Sequence, residues 1–78
     1  MTREDVSKIV LHIAEKYYCE VAKESDSLEW DLQLDSLDTL EFLMDLEIEF
    51  NIEIDNDKAK EAKTLADIID FINKEEKK

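Results

Sequence analysis

An all-α fold, a small bundle of three main helices with a short fourth and a long loop after the first, is what this chain predicts. Three observations carry that expectation. The 78 residues contain no Gly and no Pro, so tight hairpins, which need left-handed or fixed-φ residues, have little to be built from. Three stretches repeat apolar side chains at helical spacing behind a polar residue able to cap a helix. The one stretch that alternates like a strand, "IEI" at 52–54, has no second strand to pair with.

The elements follow in order. Thr2 stands three residues before Asp5, a capping-box pattern, and Val6, Ile9, Val10, Ile13 and Tyr17 recur at helical spacing, which predicts a first helix over 3–18. From Cys19 to Leu34 the period is lost. Ser25, Asp26 and Ser27 supply turn chemistry there, and Leu28, Trp30 and Leu32 are expected to anchor the loop to the core. Asp35, three before Asp38, caps a second helix reaching Phe50, and "NIEIDND" ends it. A short helical turn is expected over 58–62. Thr64, three before Asp67, caps a last helix carrying Leu65, Ile68, Ile69 and Ile72, and residues 74–78 read as a solvated tail.

The length allows one domain, residues 1–78, and a domain of this size buries only about 60–65% of the surface its unfolded chain exposes. Apolar residues are 44% of the chain, enough for a core despite 41% charged residues. With Cys19 as the one cysteine no intramolecular disulfide can form. Neither a signal-peptide pattern nor an apolar run of about 18 residues is present, so a cytoplasmic location without membrane insertion is expected. The net charge of −12 disfavours nucleic acid and anionic membranes, which are bound through Lys and Arg, and favours basic proteins as partners. Residues 24–57 hold thirteen acidic and no basic side chains, whereas the remainder holds nine acidic and ten basic ones. The middle of the chain therefore owns the whole excess.

On a helical wheel of residues 37–50, Thr39, Phe42, Leu43, Leu46 and Phe50 share one side and belong in the core. Leu37, Leu40, Met44 and Ile48 fall on another side, with Glu41 among them and Asp38, Asp45 and Glu47 at the margins. Either this helix is central and buried on both sides, or Leu37, Met44 and Ile48 form a small apolar patch inside an acidic rim that selects a basic partner. The second reading is preferred, because three helices offer few elements to cover both sides of one; Leu40 suits either. Ser36 heads this helix, where open backbone N–H groups and the helix dipole favour an anion. Serines in that place are ordinarily caps or bystanders.

The string "LDSLDTLEFLMDLEIEFNIEI", Leu34 to Ile54, resembles the acyl carrier proteins, with Asp35, Ser36 and Leu37 matching the family's attachment motif. A lone D-S-L is a weak signal. The specificity lies in its combination with the acidic, apolar helix that follows, and the match extends over residues 28–72. The resemblance implies that a phosphopantetheinyl transferase joins 4′-phosphopantetheine from coenzyme A to Ser36, and that acyl groups ride on the arm's thiol as thioesters. It implies that Asp35, Asp38, Glu41 and Glu47 are read by basic patches on acyl synthases, reductases and transferases, with Leu37 and Met44 as hydrophobic contacts; Ile48, on the apolar side of the same helix, is expected on that partner face as well. It also implies an acyl-chain cavity lined by Phe42, Leu46, Phe50, Ile54, Ala59 and Ala62, although these read equally well as ordinary core. A monomeric carrier for type II fatty acid synthesis is the first expectation; a specialised carrier for polyketide, peptide or aminoacyl transfer is the alternative. The chain departs from the family pattern at Gln33, where a glycine commonly stands, at Leu34, at Asp55, which replaces a common proline, and at Ile48, which replaces an acidic residue.

Rival classes fare worse. His12 and Cys19 stand seven residues apart as isolated groups, a poor basis for a nucleophilic enzyme. "DNDKAKEAKTLA" from Asp55 lacks the sixth-place glycine and twelfth-place glutamate of an EF-hand loop, so no metal site is expected. An acidic interaction domain without an arm is the remaining alternative of another class.

Overall fold

The computed structural model describes residues 2–76 as four helices: α1 Arg3–Tyr17, α2 Ser36–Phe50, α3 Asn56–Ala59 and α4 Leu65–Glu76. The all-α expectation holds, and "IEI" forms no strand; among the described residues the only extended pairing is an isolated bridge between Ser27 and Thr64. The first helix stops at Tyr17, one residue before the expected end at 18, because Tyr18 is its C-cap, and two further boundaries differ from the sequence reading. The short helix occupies 56–59 rather than 58–62, because the Asp55 carboxylate accepts the N–H groups of Asp57 and Lys58 at 3.0 and 3.4 Å and so fixes an earlier start. The expected tail at 74–78 is in part helical: α4 continues through Glu76, while Lys77 and Lys78 lie outside the described residues.

Capping explains where the main helices begin. Thr2 and Asp5 close a reciprocal box at α1, as Asp35 and Asp38 do at α2. At α4 the Thr64 hydroxyl accepts the Asp67 N–H, and the Asp67 carboxylate accepts those of Lys63 and Thr64. The next orphan amides of α4 are met from elsewhere: Leu65 and Ala66 donate to the carbonyls of Asp26 and Glu24 at 3.0 and 2.8 Å. Leu28 in turn donates to the Lys63 carbonyl at 2.9 Å. The long loop is thereby fastened across the start of α4.

The core gathers Val6, Val10 and Ala14 of α1, Phe42, Leu43 and Leu46 of α2, Ala59 of α3, and Leu65, Ile68, Ile69 and Ile72 of α4. From the loop come Leu28, Leu32 and Leu34, but not Trp30, which is 78% exposed. The expected Trp30 anchor is therefore incorrect. The Ser27 carbonyl accepts the N–H groups of both Asp31 and Leu32, and Leu34 bonds back to the Leu28 carbonyl. That tight turn directs the leucines inward and leaves the tryptophan outside. Tyr17, expected on the buried face of the first helix, is likewise exposed; its neighbour Tyr18 packs edge-on against Phe42, with ring centroids 5.6 Å apart.

Candidate functional site

The site is built at the corner where the loop becomes α2. Gln33 turns the chain with a left-handed backbone, φ 56°, and Leu34 then plugs into the core. The Asp35 carboxylate accepts the Asp38 N–H at 2.8 Å, and the Asp38 carboxylate reaches back to the Asp35 N–H at 3.5 Å. With Asp35 fixed as the cap, Ser36 becomes the first helical residue, and it is exposed. Its hydroxyl has no hydrogen-bond partner among the described residues, and the Asp35 carbonyl takes the Thr39 N–H, leaving the amides of Ser36 and Leu37 open. A buried leucine two residues before and a capped helix after give that hydroxyl a rigid base.

The electrostatics are those of an unanswered acidic face. No basic residue stands in the last turn of α2, and the Tyr18 phenol beside it is pushed up, first by burial and then by the carboxylates of Asp45, Glu41 and Asp38. Within this field Leu37, Met44 and Ile48 are 64%, 57% and 78% exposed, so the stripe read as a surface patch is one. Leu40 and Thr39 are half-buried, the latter less enclosed than the wheel suggested. Glu41 is exposed, and Asp38, Asp45 and Glu47 are half-buried. Glu47 also turns toward the chain itself, accepting the Ile54 N–H at 3.4 Å.

Phe42, Leu46, Phe50, Ile54 and Ala59 lie together in the core, with Ala62 packed against it. They line neither of two open grooves, about 490 and 420 Å³, found along the seam of α1 and α2. Those grooves use α1 residues that the wheel of α2 alone could not reveal, although Lys8, His12 and Lys16 stand at four-residue spacing in the sequence. Cys19 is half-buried, donating its thiol toward the Ala14 carbonyl, and burial pushes it up, away from the reactive thiolate. Among the described residues no three His, Cys, Asp or Glu side chains gather as a metal ion would require, and no helix is long and apolar enough to cross a membrane.

The fold and site together define a small helical bundle with an exposed serine at the capped start of its second helix. A family model described as the phosphopantetheine attachment site matches residues 7–72. The acyl carrier protein of Porphyromonas gingivalis is 51% identical over 55 residues, covering 70% of this chain and 69% of that protein. That of Thermosynechococcus vestitus is 51% identical over 43 residues, 55% of this chain and 53% of its own length. A solved structure of the acyl carrier protein from Enterococcus faecalis, described for its high thermal stability, superimposes with a TM-score of 0.77 at 29% identity, covering 96% of this chain and 99% of that one. The chain belongs to the acyl carrier protein family, and its cofactor is 4′-phosphopantetheine.

Proposed function

We propose that this chain carries acyl groups on an arm attached at Ser36, in type II fatty acid synthesis, and that it acts as a carrier rather than a catalyst. The observation behind the attachment site is the exposed, unpartnered Ser36 hydroxyl at the first position of α2, beside the open amides of Ser36 and Leu37. Those amides and the positive end of the helix suit a phosphodiester at that oxygen. The arm supplies a thiol on which acyl groups are held as thioesters. Asp38 and Glu41 offer charge to basic patches on the transferase and on acyl-processing enzymes, while Leu37, Met44 and Ile48 supply apolar contact. Glu47, held to Ile54, serves that face less freely. Phe42, Leu46, Phe50, Ile54, Ala59 and Ala62 are the residues between which an acyl chain would lodge by parting α2 from α3.

The charge of −12 on a 78-residue chain supports a monomer, and the lone cysteine supports a cytoplasmic setting. A specialised carrier, for polyketide, peptide or aminoacyl transfer, is favoured by one feature: Ile48 is fully presented where the family pattern has an acidic residue. Incubation with coenzyme A and a broad-specificity phosphopantetheinyl transferase, read by intact mass, is the test. The wild-type chain is expected to gain one phosphopantetheine, and Ser36→Ala none while keeping its helical circular dichroism. An unchanged wild-type mass would remove the carrier reading.

A further inference from the structure

The two grooves share Tyr17, Asp45 and Ile48, so they form one trough running along the seam of α1 and α2. Its banks carry opposite charge. Lys8, His12 and Lys16 line the α1 bank, and Glu41, Asp45 and Glu49 line the α2 bank. Both series step by four residues, so each is a ladder along one helix face, and eight residues of helix span about 12 Å. Between them the floor is apolar, with Ile9 half-buried and Ile48, Met44 and Tyr17 exposed. Among the described residues no ion pair joins the banks, and Arg3 pairs elsewhere, with Glu24 and Asp70. Lys16 lies over the Tyr17 ring instead, 5.3 Å from its centroid.

We infer that this trough is a second docking surface, for an amphipathic helix of a partner protein that carries acidic residues along one edge of its apolar stripe and basic residues along the other. Charge complementarity selects that occupant. A uniformly basic helix would satisfy Glu41, Asp45 and Glu49 but set like charge against Lys8 and Lys16, and a uniformly acidic one would fail on the other bank. A second copy of the chain brings a further −12 against the same face. The apolar floor, about two helical turns long, is the length that an i, i+3, i+4, i+7 stripe covers. The trough thus distinguishes two-signed partners from the basic patches that address α2 alone, and it does so with or without an arm on Ser36.

The test uses the unloaded full chain and two 18-residue helical peptides. Both carry leucines at helical spacing; one has glutamates along one edge and lysines along the other, and its control has lysines along both. In an amide NMR titration the two-signed peptide is expected to move residues 8–17 together with 41–49. Lys8→Glu/Lys16→Glu should weaken it about three- to tenfold, as removal and reversal of two exposed charge contacts implies, and should leave the all-lysine peptide bound as well or better. The milder Lys8→Gln/Lys16→Gln pair should give the same ordering, with unchanged circular dichroism confirming the fold in both. Shifts confined to α2, equal loss of both peptides, or dimerisation of the chain through this face without peptide would each overturn the inference. None of these outcomes depends on the mass gain that tests Ser36.

Discussion

Gln33 is held at φ 56°, a left-handed conformation that costs a residue with a Cβ about 1 kcal/mol relative to glycine. The turn is forced, since Leu34 must enter the core and Asp35 must cap α2 immediately afterwards. Gln33→Gly is therefore expected to raise unfolding stability by roughly 0.5 kcal/mol, the relief being partly offset by the freer unfolded chain. Gln33→Ala should leave it unchanged. Urea titrations of the two variants check the pair, and a destabilised glycine variant would show that the strain is not real. Asn51, φ 54° at the C-terminal cap of α2, meets the same demand with a residue that tolerates it. Both positions could be read in the sequence, Asn51 as turn chemistry and Gln33 as a departure from glycine. Trp30 could not, because a lone aromatic outside any periodic stretch carries no signal of which way it faces.

Helix starts were the most legible elements, since a cap and its partner stand three residues apart and involve no distant contact. Thr64 allows a clean measurement, because it lies outside the Asp35-Ser36-Leu37 corner. Its hydroxyl accepts the Asp67 N–H at 3.2 Å, and Thr64→Ala is expected to cost about 1 kcal/mol while leaving phosphopantetheine transfer at wild-type extent. A loss of transfer with retained stability would instead make this end of α4 part of the recognition surface. The two faces of α2 were legible from its period, with Phe42, Leu43, Leu46 and Phe50 inside and Leu37, Met44 and Ile48 outside. What periodicity does not contain is the attachment of the loop to α4. The bonds from Leu65 and Ala66 to Asp26 and Glu24 join backbone groups about forty residues apart, and no side-chain pattern records them. The start of α3 is less legible for a smaller reason: in the sequence Asp55 stands out as a replaced proline, whereas in the fold its carboxylate caps the helix.

At the scale of the whole molecule, local and global electrostatics pull stability in opposite directions. Twelve net negative charges repel one another within a domain measuring 31 × 24 × 19 Å, only a few screening lengths across at physiological ionic strength. Against this, three carboxylates are held below their ordinary range by the fold. Asp5 is lowered by the backbone and hydroxyl of Thr2, Asp67 by the backbone amides of Lys63 and Thr64, and Glu24 by hydrogen bonds from Arg3 and Ser7. A folded-state value below the unfolded one means stability that is present above the ordinary values of 3.8 and 4.5 and lost as pH falls through the lowered folded values. At pH 7 these contacts are therefore intact, and added sodium chloride or magnesium should raise the melting temperature by screening the repulsion. The Arg3 pairs are open to solvent, where ion pairs contribute little, so their weakening by salt does not reverse the trend. Below about pH 4 the melting temperature should fall, because the stabilisation from the caps of α1 and α4 and from the Glu24 bridge is progressively lost while the chain, with a pI of about 4.3, takes on a growing positive charge. Melting curves across salt at pH 7 and across pH at fixed high salt separate the two effects. A flat salt series would show that carboxylate repulsion does not limit this fold, and stability that persists below pH 3 would show that these three contacts do not hold it.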